Sequence, residues 1–478
     1  QVTAVYEYRE NIKGKISIDM PNTNDVFTQN ILDKIQKGCG VMNTKEISGK
    51  RQMEFLAGFD FVREAGTAGE VKAAKMIRDT LDSFGVKNWM EEFSFWGFRI
   101  NRAVLKVVEP YQKEYVVTGY GRCGNTGAEG LKADFLYVEN GDAVSLSRAK
   151  GKIVMVNGRV SGDVYQRLVS AGAVGFISVE GSPLDEGVDR VPCQRSLPMI
   201  FPGDVAEVIE GLSESAEDIH EMQEKYSGRI PGANLHYKDA VELVTEGASE
   251  VCLVVEQDVT ACRSRNVVAR IEGTDKKDEI LTITAHYDSV PEGPGAYDNM
   301  AGAAIIMELC RYFQQYRPRR TMEFVWFGAE EKGLLGSRDY IRVHESELGA
   351  HRFNMNVDLA GQLIGGNVLG VTGEASVCDK LLEIADGAGI GASVKNQIWG
   401  SDSNSFAWKG IPAMTLNRDG FGMHTRYDTI DLLSAWSLER SAILLGCIAD
   451  ALGNTEVFPF ERKMPEKFIG ELDEYMCR

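Results

Sequence analysis

Several features that define other classes of protein are scarce in this chain. Its 478 residues include nine cysteines without a CxxC pair, and no apolar run approaches the ~18 residues that a membrane span needs. The first thirty residues are polar and charged, so they contain no apolar core of a signal peptide. The low cysteine density favours reduced, structural thiols and a cytoplasmic location. Because the chain starts at Gln1 rather than Met, a secreted protein that has lost its leader remains an alternative.

Positively charged residues are also fewer than negatively charged ones. Lysine and arginine number 52 against 70 aspartates and glutamates, which gives a formal net charge of -18. A negative surface repels the phosphate backbone, so we expect no nucleic-acid partner, and the lack of a long apolar run predicts no membrane partner. The apolar content of 44% and charged content of 26% are ordinary for a globular protein that forms a core of normal size.

The chain is long enough for two or three domains. Residues 46–84 show a helical pattern, and "WMEEFSFWGFRI" (89–100) alternates like a strand. Near residue 104 the pattern changes to short strand-like pieces bounded by Gly, Pro and Asn. This predicts a small independent domain at 104–258, inserted between a first part at 1–103 and a main part at 259–478.

The main part alternates long apolar strands with helices, which predicts an α/β sandwich whose sheet is covered on both faces. Its first segment, "SRNVVARIEGTD", is interpreted as the edge of a hairpin. The early helices have no sheet of their own, so we expect them to pack on this main part.

Polar side chains recur where the predicted strands of the main part end. His286 and Asp288 close one strand, Glu330 and Glu331 follow the next, and Asp358 ends a third. In open α/β sheets ligands bind just beyond the carboxyl ends of the strands. The sequence therefore predicts that these groups converge in one crevice.

Each group also has an ordinary explanation when it is considered alone. Asp298 could cap the helix that begins near Ala301, and an adjacent pair such as Glu330 and Glu331 often starts a helix. His424, in the loop "GFGMHTRYDTID", could be a surface residue. The recurrence of such groups at strand ends within one domain favours a shared role instead.

That shared role is a pair of divalent metal ions. Asp298, Glu331 and Asp358 carry three negative charges, which two divalent cations and one hydroxide neutralise. Nitrogen and carboxylate ligands suit zinc, and a carboxylate that bridges two ions gives the geometry of co-catalytic hydrolysis. Asp288 lies two residues after His286, on the same side of the strand, where it can accept the second imidazole N–H.

Four segments together resemble a known family. "TAHYDSV…DN…AA", "GAEEKGLLGS", "NVDLAG" and "HTRYDTID" are similar to the di-zinc aminopeptidases that include aminopeptidase Y and the bacterial leucyl and Streptomyces-type enzymes. The resemblance covers 265–456 well and 46–100 more weakly. It implies a mixed central sheet sandwiched by helices, two zinc ions per chain and peptide substrates.

The resemblance also implies a role for each site residue. His286 and Asp358 match the ligands of one zinc, Glu331 and His424 match those of the other, and Asp298 matches the bridge. Glu330 matches the general base and Asp288 the partner of a ligating histidine.

The inserted part, "GKIVMVNG…RLVSAGAVGFISVEG…LPMIFPGD", resembles a protease-associated domain of α+β or β-rich type. Such domains are thought to cover the active site or to restrict substrates. A homodimer is left open by the sequence.

The chain departs from the family pattern at two places. Many members have Tyr before the last histidine, where the hydroxyl can steady the tetrahedral oxyanion, and this chain has Met423. Many also read Ser-Asp-His where this chain reads Ser401, Asp402 and Ser403. Tyr427 is a candidate for the missing donor.

The motifs predict a metal-dependent exopeptidase, most simply an aminopeptidase that uses Glu330 as its base. Three alternatives stay open: a carboxypeptidase of the same fold, a one-zinc acyltransferase of the glutaminyl cyclase type, and a metal-free scaffold protein.

Overall fold

The computed structural model describes residues 42–197 and 216–476. Cys39, Cys477 and most of "LPMIFPGD" lie outside the described residues. Within them, no helix has both the length and the apolar character needed to cross a membrane. The helices are α1 (Gly49–Leu56), α2 (Ala68–Ser83), α3 (Gly162–Ser170), α4 (Ala216–Ser227), α5 (Tyr237–Thr245), α6 (Ala301–Gln315), α7 (Leu335–Val343), α8 (Ala375–Gly387), α9 (Ser403–Trp408), α10 (Ala435–Asn454) and α11 (Glu466–Met476).

The strands join into one extended sheet. They are β1 (Lys87–Glu109), β2 (Lys113–Tyr115), β3 (Val117–Gly121), β4 (Leu131–Tyr137), β5 (Ile153–Asn157), β6 (Gly175–Glu180), β7 (Arg195–Ser196), β8 (Gly232–His236), β9 (Glu250–Ile271), β10 (Lys276–His286), β11 (Arg320–Phe327), β12 (His351–Val357), β13 (Asn367–Thr372), β14 (Ala392–Asn396) and β15 (Ala413–Arg418).

The larger part of the sheet, here called the main sheet, has the order β14-β13-β15-β12-β10-β11-β9. Strand β10 pairs in parallel with β11 and β12, and β12 pairs in parallel with β15. Strand β13 is antiparallel to β15, and β9 is antiparallel to β11. The main sheet is therefore mixed, as the sequence predicts.

Helices cover both faces of the main sheet. Along β11, Phe324 and Trp326 belong to a core shared with helices α1, α2, α6, α8 and α10. The alternate residues Val325 and Phe327 belong to a second core, shared with α7, α9 and α11. Successive side chains of a strand point to opposite faces, so a strand buried on both faces is a continuous apolar run. The predicted α/β sandwich is confirmed, with the early helices packed on it.

Six further strands form what is here called the smaller sheet, in the order β4-β5-β6-β8-β3-β7, while β2 pairs with β1. It has its own core between residues 105 and 255, with Ile153, Phe176 and Leu235 fully buried. The predicted domain boundaries, at 103/104 and 258/259, fall within the long strands β1 and β9, which run through both points. The division into domains stays a prediction.

Strands β1 and β9 connect the two sheets as an antiparallel ribbon. Their pairing runs from Lys87↔Arg270 to Glu109↔Glu250, with irregularities between Ile100 and Arg102 and between Val107 and Glu109. Strand β9 also pairs with β4 at its beginning and with β11 at its end. The interpretation of "SRNVVARIEGTD" as a hairpin edge is wrong, because β9 lies inside the sheet between β11 and β1.

Candidate metal centre

The predicted site residues lie at one edge of the main sheet. His286 is the last residue of β10, while Glu330 and Glu331 follow β11 and Asp358 follows β12. These three strands are parallel neighbours, so their carboxyl ends meet at the same edge. Topology thus brings together side chains that are up to 72 residues apart in the chain.

Asp298 reaches this edge from the turn that precedes α6. Gly295 begins that turn with φ of 54°, a left-handed conformation that suits glycine. The carboxylate of Asp428 accepts hydrogen bonds from the backbone N–H groups of Tyr297 (2.6 Å) and Asp298 (3.0 Å). The backbone of Asp298 is therefore held in place by a side chain from the loop that follows His424.

Asp298 lies between two imidazoles. Its Oδ1 is 3.1 Å from His286 Nε2, and its Oδ2 is 3.0 Å from His424 Nε2. On one side Asp358 Oδ1 lies 3.5 Å from His286 Nε2, and on the other Glu331 Oε1 lies 3.1 Å from His424 Nε2. Two groups of three ligand atoms, each group within 4.8 Å, thus share Asp298.

The pKa values of the imidazoles and of Asp298 are shifted by their mutual contacts. Although burial favours the neutral form of His424, hydrogen bonds to Asp298 and Glu331 raise its pKa to about 10. Burial favours the protonated form of Asp298, yet its hydrogen bonds to His286 and His424 hold its pKa well below the ordinary value. The carboxylates thus favour protonated imidazoles, which shows that this cluster attracts positive charge. The donor set of two imidazoles and three carboxylates fits divalent ions such as zinc, which would replace those protons.

Asp288 organises the neighbouring groups. Its Oδ1 lies 3.4 Å from His286 Nδ1. Its two oxygens also accept hydrogen bonds from the backbone N–H groups of Glu330 (3.1 Å) and Glu331 (3.2 Å). One buried carboxylate therefore orients an imidazole and fixes the turn that carries both glutamates.

The carboxylate of Glu330 is placed beside the metal-ligand set without being the nearest group to either imidazole. Its Oε2 is 3.9 Å from His286 Nε2. Burial, together with the charges of Glu331 and Asp358, raises the pKa of Glu330 well above its ordinary value despite the opposing effect of His286. Its side chain faces a cleft, so it can exchange a proton with a molecule bound there.

Sequence reasoning missed several residues that build this site. Arg63, in the segment before α2, is fully buried and donates from Nε to the Tyr287 carbonyl (2.7 Å) and from Nη2 to the Gly295 carbonyl (2.9 Å). It thereby ties the end of β10 to the turn that carries Asp298. Ser401 matches the serine of the Ser-Asp-His pattern, and its hydroxyl donates to Asp358 Oδ2 at 2.6 Å.

The site opens into a cleft of about 530 Å³ between the two sheets. The smaller sheet and its loops contribute Arg122, Arg159, Gln194, Arg195 and Ser196 to the lining. Tyr427, the candidate oxyanion donor, is not among the described residues that line this cleft. Its hydroxyl donates instead to Asp189, which lies on the side of the smaller sheet. Met423 does line the cleft, but its side chain has no hydrogen-bond donor.

Comparisons with known proteins agree with this geometry. Residues 266–446 match the model of peptidase family M28. Aminopeptidase YwaD of Bacillus subtilis is 30% identical over 161 residues, which are 34% of this chain and 32% of that protein. Carboxypeptidase Q of Mus musculus is 23% identical over 406 residues, which cover 81% of this chain and 82% of that protein.

The fold also matches a solved structure. A zinc aminopeptidase from Bacillus subtilis, BSAP, aligns with a TM-score of 0.69 and 22% identity over 87% of this chain and 99% of that chain. The sheet, the cluster at its edge and the family match define the class of this protein as a metallopeptidase.

Proposed function

We propose that this protein is a zinc-dependent exopeptidase that removes N-terminal residues from peptides. The observation that carries the proposal is the position of Asp298, whose two oxygens face two imidazoles, each with a further carboxylate beside it. Relatives named as aminopeptidases, among them YwaD, and a zinc aminopeptidase of the same fold support both the metal and the class of reaction.

Two zinc ions fit the donor set. His286 and Asp358 would hold one ion, His424 and Glu331 would hold the other, and Asp298 would contact both. Three carboxylates with two divalent ions leave a net charge of +1, which favours a bound anion at neutral pH. When bound, the ions supply Lewis-acid activation of water and of the scissile carbonyl group.

Glu330 is the residue that moves the proton. Its carboxylate accepts a proton from the attacking water and then gives it to the leaving amine nitrogen, as a general base that becomes a general acid. The side chain of Glu330 faces the cleft, so one carboxylate can serve both steps. Asp288 supports the reaction indirectly by fixing the backbone of Glu330 and the ring of His286.

Removal of the metal tests this proposal. We expect dialysis against a strong chelator to reduce the hydrolysis of leucyl-coumarin at least about 100-fold, and zinc alone to restore it, because water attack needs the ions. Elemental analysis of the restored enzyme should give two zinc ions per chain. One zinc ion together with pyroglutamate formation would indicate the cyclase, and an inactive, metal-free protein would indicate the scaffold.

Carboxypeptidase action is the second candidate, and Arg159 is the observation that favours it. Arg159 follows β5 and lines the cleft, and no carboxylate of the described residues lies within ion-pairing distance of it. Nearby Arg195, by contrast, pairs with Glu180 at 2.8 Å. A cation without an acidic partner could bind the free carboxylate of a peptide's C-terminus.

Arg159→Gln separates the two candidates. For an aminopeptidase we expect kcat/KM on a leucyl peptide to change less than about threefold, since the loss of one exposed charge has a small effect. A carboxypeptidase would lose at least about tenfold, the value of a charge-assisted hydrogen bond. Peptides with an acetylated amino end or an amidated carboxyl end provide the matched substrates. Cleavage that survives acetylation and fails after amidation would contradict the proposal.

A further inference from the structure

Tyr475 brings a side chain from the end of the described chain into the cleft. It lies in the last turn of α11 and lines the cleft together with Glu330, Asp358 and Gly400. The sequence around it is acidic and carries no motif, so the sequence alone predicts no role for this C-terminal segment.

Helix α11 is firmly attached to the main sheet. Phe468 and Leu472 are buried in the same core as α7 and α9. The Trp408 indole N–H donates to Asp473 at 2.9 Å, and Arg338 Nη1 donates to the Met476 carbonyl at 2.6 Å. These contacts flank Tyr475 on both sides, so the position of its ring is set by the fold.

The hydroxyl of Tyr475 is a donor that the protein itself leaves for a ligand. Among residues 42–197 and 216–476 no hydrogen-bond partner is found for it. Other tyrosines beside the site do have one: Tyr287 donates to the Arg265 carbonyl at 2.8 Å, and Tyr297 to the Arg418 carbonyl. The Tyr475 hydroxyl instead belongs to a side chain that lines the cleft, where a bound molecule can accept its hydrogen bond.

Gly400 explains how the hydroxyl fits against the wall of the cleft. A Cβ atom at residue 400 would lie 3.3 Å from the Tyr475 oxygen. The next residue, Ser401, donates to Asp358. The hydroxyl therefore lies on the side of the cleft where Asp358 and His286 meet.

The phenol keeps its proton in this position. Burial, and then the charge of Glu330, raise the pKa of Tyr475 to about 12. Near neutral pH the group is thus a neutral donor and can stabilise an oxygen that gains negative charge.

We propose that the Tyr475 hydroxyl donates a hydrogen bond to the scissile carbonyl oxygen as that oxygen becomes negatively charged, a donor that Met423 does not provide. This inference rests on the proposed peptidase function. It makes the C-terminal helix part of the active site and assigns to Tyr475 the role for which Tyr427 is a sequence candidate.

Tyr475→Phe removes the hydroxyl and keeps the ring. We expect kcat for leucyl-anilide to fall roughly 100-fold while KM stays within about twofold, as for the loss of one donor to an oxyanion. Tyr427→Phe is the matched control, because its hydroxyl contacts Asp189, and its kcat should stay within about twofold of wild type.

Inhibitor binding separates a catalytic role from a structural one. Tyr475→Phe should weaken an aminoalkyl boronic acid, which mimics the tetrahedral state, by about the same factor as kcat and leave the affinity for L-leucine unchanged. Gly400→Ala, whose added methyl group would press on the hydroxyl, is a second variant that should lower kcat with the ring intact.

The outcomes distinguish this inference from the proposed function. If wild type hydrolyses leucyl-anilide and both variants keep kcat within about threefold, Tyr475 is not the donor and the peptidase function stands. Equal weakening of the boronic acid and of L-leucine would also overturn it, since that pattern indicates a disturbed pocket. A zinc-loaded wild type that hydrolyses no peptide would overturn both.

Discussion

Replacing Glu330 with Gln is expected to lower kcat by roughly 10³-fold or more while both metal ions stay bound. The amide has nearly the same shape as the carboxylate but cannot accept a proton from water, and general-base catalysis contributes about 10² to 10⁴-fold. Glu330 is 3.9 Å from the nearest imidazole nitrogen and is not among the ligand atoms grouped around Asp298. Its loss should therefore affect proton transfer and spare metal binding.

Hydrolysis of leucyl-anilide and elemental analysis of the same sample measure the two effects. Glu345→Gln, a change at an exposed carboxylate outside the cleft lining, is the control and should match wild type. A Glu330→Gln enzyme that retains more than about a tenth of the wild-type kcat would exclude Glu330 as the base.

Asp298→Asn is expected to abolish both metal binding and activity. Among the described residues Asp298 is the carboxylate whose two oxygens contact both His286 and His424, so the change removes a charge from both halves of the site at once. Loss of an anionic ligand leaves two imidazoles and two carboxylates to hold two divalent ions. We expect less than about one zinc per chain after dialysis and a loss of kcat of roughly 10³-fold or more.

The contrast between the two variants is informative. Glu330→Gln should be inactive and fully loaded, whereas Asp298→Asn should be inactive and depleted. Asp278→Asn, a change at an exposed residue at the opposite end of β10, is the matched control for the second variant. Retention of two zinc ions by Asp298→Asn would show that Asp298 does not bridge the ions.

The sequence predicts the position of His286, Glu331 and Asp358 because each follows a strand that is apolar and recognisable on its own. Parallel pairing then places the strand ends together, and this rule needs no knowledge of the rest of the fold. The apolar pattern also predicts the mixed sheet and its two helical layers, since strands buried on both faces are unbroken apolar runs.

Other parts of the site depend on contacts between distant residues that no local sequence pattern predicts. Arg63 and Asp428 act through hydrogen bonds to backbone groups more than 100 residues away, and any buried polar residue could do the same. Tyr475 enters the cleft only because α11 packs against α9. The sequence pattern does not predict the full length of strands β1 and β9, because their burial changes along the chain as they leave one sheet and enter the other.

The ribbon of β1 and β9 has a mechanical consequence for the cleft. Between the ends that pair with β4 and β11, residues 254–266 of β9 pair with β1 alone among the described strands, a span of roughly 40 Å. The two sheets are therefore joined along this span by the hydrogen-bond ladder of one pair of strands, which contains the irregularity beside Ile100. The width of the cleft is then set by this backbone ladder together with contacts across the cleft, such as the hydrogen bond from the Gln194 backbone N–H to Glu292 at 2.8 Å.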